Sequence, residues 1–341
     1  MLFAAFAPLL AFDFGRVMSE SLTQAFGPQA VVFAMAAIGL NIHFGYTGLL
    51  NFGHIGFLAV GAYGTAIAIT SWGLVSGLAI IVGLMFALVL ALALGLPTLR
   101  LRADYLAIVT IAAAEIIRLL ARSTALRSVT RGAEGLNEWA GGLQEINPWN
   151  GKTVDVGPFT YRGNQVAVVV FGWIAVAIIT YGVYLLMKSP WGRVLKAIRE
   201  DEDAVRALGK NAYWFKLQAL ILGGVIAGFA GFIWAFTNST VQPDVYVPPI
   251  TFFIWAALIL GGAARVFSPV IGAILFWFLI TFFESFIGQL VDQYDSVAKV
   301  IDRTEVSLIR FLLVGLMLMA LMAFRPQGIF GDKEEMALDA R

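Results

Sequence analysis

The sequence predicts an all-α, polytopic membrane protein with about eight to ten transmembrane helices. Three observations carry that expectation. Of the 341 residues, 60% are hydrophobic and only 13% are charged, with a mean hydropathy of +0.83. Soluble domains are usually about half apolar and about a quarter charged. Nine apolar windows lie near residues 28–46, 53–71, 74–96, 104–122, 164–187, 213–237, 250–265, 267–289 and 306–324, and roughly 20 such residues cross a bilayer as a helix. Lysine and arginine gather in the loops on one side of those windows, as the positive-inside rule expects.

The first element is short. Residues 1–27 hold an apolar run cut off by Asp13 and Arg16, with no basic start. That pattern reads as an interfacial or incomplete helix, and not as a cleaved signal. The windows at 28–46 and 53–71 come next and could be one broken element. Residues 28–324 then form one transmembrane domain. Lys188, Arg193, Lys196, Arg199, Arg206, Lys210 and Lys216 crowd a single connection. With nine crossings, this connection, the 97–103 loop and the tail at 325–341 share the cytoplasmic side. The long 123–163 loop, rich in Gly, Asn, Pro and Trp, falls outside and should hold a small structure of its own. Its Gly151-Lys152-Thr153 lacks the earlier glycine of a phosphate-binding loop. Two halves, 28–122 and 164–324, each pair a Gly-rich element with a long apolar helix. Inverted halves of this kind build many transporters.

Net charge is +1, so no global field draws nucleic acid. There is no cysteine, which removes disulfides, thiolate metal sites and cysteine nucleophiles. The two histidines form no HExxH arrangement, so no metal site is expected.

Two stretches carry the functional expectation. In GYTGLLNFGHIGFLAVGAYG, residues 45–64, a continuous helix would place Thr47, Asn51 and His54 on one polar stripe, with Gly45, Gly53, Gly56 and Gly64 roughly opposite. That arrangement points to a substrate pathway lined by the stripe. Packing glue is the competing reading. The density of glycine at 45–48 points equally to a break, since non-helical backbone is tolerated at membrane depth only within protein or around a cavity. Tyr46 and Tyr63 flank the stripe and join it as pathway candidates. Glu115 joins them as an intramembrane carboxylate, although Arg118, three residues on, could simply pair with it.

The second stretch is 188–211, where Pro190 can open a helix and Gly209 can close it. Trp191, Val194, Leu195, Ile198, Val205 and Leu208 follow helical spacing. The acidic run Glu200-Asp201-Glu202-Asp203 would be repelled by lipid phosphates, so a protein partner suits this segment better than a lipid surface.

Asp203-Ala204-Val205, followed after three intervening residues by Gly209, is similar to the pattern with which ABC importer permeases dock on their ATPase. GLNIHFGYTGLLNFGHIGFLAVGAY (39–63), LRLRADYLAIVTIAAAEIIR (99–118) and RPQGIFG (325–331) extend the likeness. Together they resemble the branched-chain amino-acid ABC transporter permease family, LivM type. The resemblance implies an ABC importer permease fold in the bacterial cytoplasmic (inner) membrane. It implies a second permease of LivH type, two ABC ATPase subunits and a periplasmic or lipid-anchored binding protein. ATP and Mg would bind the ATPases, and this chain would hold no cofactor and do no catalysis. Leucine, isoleucine and valine are the implied substrates, with urea or a short amide as the alternative. Arg193, Ile198, Asp203, Ala204, Val205, Leu208 and Gly209 become the expected ATPase contacts. A self-sufficient, ion-coupled transporter using Glu115 and Arg118 is a different class, and it leaves the amphipathic segment unexplained.

Overall fold

The computed structural model describes residues 13–101, 103–156, 159–294, 303–325 and 327–331. Residues 1–12 of the N-terminal segment and 332–341 of the tail, both covered by the expectations above, lie outside the described residues. The helices relevant to function are α1 (Phe14–Ala25), α2 (Pro28–Leu40), α3 (His54–Thr70), α4 (Ser76–Thr98), α5 (Ala103–Arg122) and α6 (Gly163–Lys188). They continue as α7 (Pro190–Glu200), α8 (Glu202–Ala207), α9 (Ala212–Asn238), α10 (Pro248–Gly261), α11 (Ser268–Gln293) and α12 (Arg303–Phe324).

Six of the described segments are long and apolar enough to cross a membrane: α2 with its continuation to Gly45, α4, α6, α9, α11 and α12. Helices α3 and α10 are shorter and apolar. Helix α5, with Asp104, Glu115, Arg118 and Arg122, is amphipathic. Local chemistry sets the starts. Proline occupies the first turn of α2, α7, α10 and α11, where its missing N–H costs nothing. Asp13, Asp201 and Asn211 cap α1, α8 and α9 with side-chain oxygens that accept from Arg16, Ala204 and Trp214 N–H.

Helix α9 is the central element. Ala219, Gly223, Gly224, Ala227, Gly228, Ala230 and Gly231 keep it thin, and it is buried against α2, α3 and α4. Helices α4, α6 and α12 lie at the periphery. They expose Leu78, Ile81, Met85 and Val89, then Phe171, Ile174 and Ile178, then Leu308, Leu312 and Met319. Apart from Glu305 in the first turn of α12, these faces are apolar and suit hydrocarbon.

The loops sort to two ends. At one end Leu136–Asn137 (β1) pairs antiparallel with Thr240–Val241 (β4), tying the 123–163 loop to the α9–α10 connection. A hairpin of Thr153–Val156 (β2) and Phe159–Arg162 (β3) stands beside it. At the other end Arg100 lies over the Tyr213 ring, and Ile329 N–H bonds Leu260 C=O at 3.1 Å. Lys188, Lys196, Arg199 and Lys210 share this basic end.

The continuous helix expected over 45–64 is not formed. Helix α2 passes into a π-turn at Asn41–Gly45, residues 46–53 are non-helical, and α3 begins only at His54. His54 Nε2 donates to Ala36 C=O at 2.9 Å. Gly45 is nine residues further along the chain than Ala36, about 13 Å of helix. The chain thus reaches the basic end at Gly45 and climbs back through 46–53 before α3 starts.

The helix expected over 190–209 is also interrupted. Asp201 leaves helical geometry, with φ −154° and ψ 102°, and caps a second, short helix. Glu202 and Asp203 fall in its first turn, where the helix dipole favours negative charge. The acidic run is therefore a helix start.

Candidate translocation and coupling site

The non-helical segment 46–53 is held by hydrogen bonds from four directions. Thr47 Oγ1 donates to Ile42 C=O at 2.8 Å, closing the turn on itself. Asn51 Nδ2 donates to His43 Nδ1 at 3.1 Å, and Asn51 Oδ1 accepts from Gly53 N–H at 3.0 Å. His43 Nε2 lies 3.1 Å from Leu220 C=O on α9. A carbonyl only accepts, so His43 is protonated at Nε2 and its Nδ1 is the acceptor for Asn51. Trp255 Nε1 on α10 donates to Asn51 C=O at 3.2 Å, and Phe52 N–H donates to Thr110 Oγ1 on α5 at 3.1 Å.

The continuous helix on which the polar stripe was drawn is therefore absent, and its three residues are buried. Thr47, Asn51 and His54 are 2%, 1% and 0% exposed, and each is bonded within its own chain. None lines an open path in this conformation. The physical reason is the break. Once 46–53 leaves the helix its backbone groups need partners away from water, and the nearest polar side chains supply them. Asn51→Leu should therefore strand His43 Nδ1 and Gly53 N–H, at about 1–3 kcal/mol for each unpaired group. The expected result is a lower melting temperature of the solubilised protein. Unchanged melting would show that the ties are dispensable.

Tyr46 and Tyr63 are also buried. The Tyr46 ring lies 5.9 Å from Lys196 Nζ at the basic end, and Tyr63 lies 6.3 Å from the Tyr246 ring towards the other. Tyr46 does reach a cleft of about 490 Å³ shared with Tyr184, Lys196, Arg265 and Phe330.

Glu115 sits differently. Arg118 grips it with two bonds, 2.6 and 2.9 Å, and donates a third to Asp244 at 3.1 Å. Arg122 adds another to Asp244 at 2.9 Å. The local pairing read from sequence is present, and Asp244 extends it across 126 residues to the loop before α10. No sequence spacing could reveal that partner. The Glu115 side chain keeps 34% of its surface open on a face with exposed Ile108, Ile116 and Leu119.

At the basic end α7 and α8 form a two-helix knob. Ile198 and Val205 face inwards, 4% and 5% exposed, and pack with Ala212 at the start of α9. Both were expected to touch an ATPase. In this structure the chain's own α9 covers them instead. Arg193, Asp203, Ala204 and Gly209 are exposed, and Leu208 is 80% exposed. Trp191 Nε1 donates to Gln218 Oε1 at 2.7 Å, and Lys216 pairs with Glu202, so the knob is fastened to α9.

A broken helix inside a helical membrane domain, with an exposed knob at one end, is the geometry to set beside known proteins. The sequence profile described as "Branched-chain amino acid transport system / permease component" matches residues 25–322. The chain belongs to the branched-chain amino-acid ABC permease family, LivM type. The high-affinity branched-chain amino acid transport system permease protein LivM of Escherichia coli K12 is 28% identical over 309 residues, 88% of this chain and 68% of that protein. The Salmonella typhimurium LivM protein is 27% identical over the same shares. A probable LivM protein of Methanocaldococcus jannaschii is 24% identical over 342 residues, 89% of this chain and 91% of its own. No solved structure matches. As a permease of this family the chain is a multi-pass transport subunit.

Proposed function

We propose that this permease carries leucine, isoleucine and valine across the bacterial cytoplasmic membrane, driven by ATP hydrolysis in partner chains. The observation that supports this most is the knob. A soluble ATPase needs a rigid, exposed contact on the membrane subunit. Helices α7 and α8 offer Asp203, Ala204, Leu208 and Gly209 at its tip, while its underside is locked to α9. The concentration of lysine and arginine at that end favours placing it in the cytoplasm. Two ABC ATPases would dock there and bind ATP and Mg. A second permease of LivH type would complete the pathway, and a binding protein would deliver substrate to the opposite end.

The half-open Glu115 carboxylate supports one pathway wall. A charge facing hydrocarbon costs about 3 kcal/mol or more, and the exposed faces of α4, α6 and α12 are apolar along their middles. A face that mixes Glu115 with Ile108, Ile116 and Leu119 suits a second permease and the water path between them. The buried Thr47, Asn51 and His54 would serve as ties of the moving segment.

The test is uptake into proteoliposomes containing the permease pair, the ATPases and the binding protein. Labelled leucine, isoleucine, valine, urea and acetamide are compared with and without ATP. ATP-dependent uptake of the branched amino acids alone is expected. Uptake of urea or acetamide instead would move the substrate, and uptake driven by an ion gradient without ATP would overturn the importer reading.

A further inference from the structure

We propose that Arg199 is the positioning residue through which the α7–α8 knob moves the broken membrane segment. This inference rests on the ATP-driven reading above and adds the joint that such a machine requires.

The π-turn Asn41–Gly45 ends a helix, so its carbonyls need donors from outside the regular ladder. Each has one. Asn41 C=O accepts from Tyr46 N–H at 3.0 Å, His43 C=O from Leu49 N–H at 2.8 Å, and Phe44 C=O from Gly48 N–H at 3.0 Å. Ile42 C=O accepts from Thr47 Oγ1. Four of the five are thus served by the segment itself. The fifth, Gly45 C=O, accepts from Arg199 Nη1 at 2.7 Å, across 154 residues of sequence. A cation at a helix C-terminus also complements the dipole there, so this bond is charge-assisted twice over.

The contact is more than one bond. Gly48 adopts φ +74°, which turns the chain beneath the arginine, and a Cβ built there would lie 3.5 Å from Arg199 Cγ. One turn back on α7, Lys196 stands over the Tyr46 ring. Helix α7 therefore grips residues 45–48 along its inner side.

What is gripped is itself connected. Asn41 Nδ2 donates to Arg265 C=O, and Asn41 Oδ1 accepts from Ala264 N–H, both at 2.9 Å, which joins the π-turn to the loop after α10. Phe52 N–H and Trp255 Nε1 join the far end of the segment to α5 and α10. Displacing α7 pulls on Gly45. The pull passes along the segment and through the bond from Phe52 N–H to Thr110 Oγ1 to α5, which carries Glu115. A π-turn followed by irregular backbone can take up such a displacement more readily than a regular helix, because few ladder bonds must break.

Arg199→Ala, Arg199→Gln and Arg199→Lys in the complete reconstituted complex test this. The readouts are ATP hydrolysed per substrate imported and the amount of ATPase retained through purification. For Arg199→Ala the ratio should rise about tenfold, the factor expected when a charge-assisted hydrogen bond is lost. ATPase retention should be unchanged, and Arg199→Lys should recover most of the coupling. If Arg199→Ala cannot be obtained folded, Arg199→Gln carries the test by the same ratio. A ratio equal to wild type overturns the proposal. So does loss of the ATPase from the complex, which would make Arg199 part of the docking surface. Wild-type uptake that needs no ATP would sink the importer reading instead, whatever the variants do.

Discussion

Leu208→Asp should abolish ATP-driven uptake while the permease remains folded. Leu208 is 80% exposed beside Gly209, which ends α8 in left-handed geometry at φ +75° with open space around it. Little of its side chain is covered by the described residues, so substitution removes little packing within them. Burying this leucine in a partner would contribute about 1.5–3 kcal/mol, and a desolvated carboxylate in its place costs more than that gain. Val205→Asp, three residues earlier, should fail differently. Val205 is packed against Ile198 and Ala212, so its charge would be forced into the chain's own core and lower the melting temperature of the permease itself. The two variants separate docking from folding. Uptake and melting are measured for each. Normal uptake by Leu208→Asp would remove the knob from the coupling mechanism.

Gly53→Ala should be among the most damaging single-methyl changes in the chain. An added Cβ would lie 1.9 Å from Thr110 O and 2.4 Å from Thr110 C on α5. Both are backbone atoms, so no side chain can swing aside. Gly53 has φ −95°, a conformation any residue can adopt, and the substitution probes space alone. Relief requires α5 to move away, which breaks the Phe52–Thr110 bond and opens the packing beside it. Overpacking of this kind costs about 1–3 kcal/mol, occasionally more. Gly182→Ala on α6, where a Cβ meets nothing within 4 Å, is the matched control and should melt no lower than wild type. Equal melting of the two variants would mean that α5 and the broken segment are not in tight contact.

Much of the architecture was legible because membrane insertion leaves a strong, local signature. Runs of about 20 apolar residues and a biased distribution of Lys and Arg need no tertiary knowledge to read. The helix start at Pro190 was legible for the same reason, since proline at the first turn is a property of one residue. The Glu115–Arg118 pair follows from spacing alone. So does the amphipathic character of the segment that became the knob.

Sequence alone thus determined the class of protein, its helical windows, its basic end and its family likeness. Tertiary structure decided which polar and apolar groups the chain consumes itself. Periodicity places Ile198, Val205 and Leu208 on a helix, but only the position of α9 shows that the first two are covered and the third is free. Periodicity likewise drew Thr47, Asn51 and His54 into a stripe. The glycines allow the chain to break there, and the unpaired carbonyls and amides of the break then recruit Thr47 and Asn51 from the segment itself, Thr110 from α5, Trp255 from α10 and Arg199 from α7. Helical propensity acts over neighbouring residues. Satisfying a buried backbone group depends on whatever donor the fold brings within about 3 Å, and that donor can stand 154 residues away.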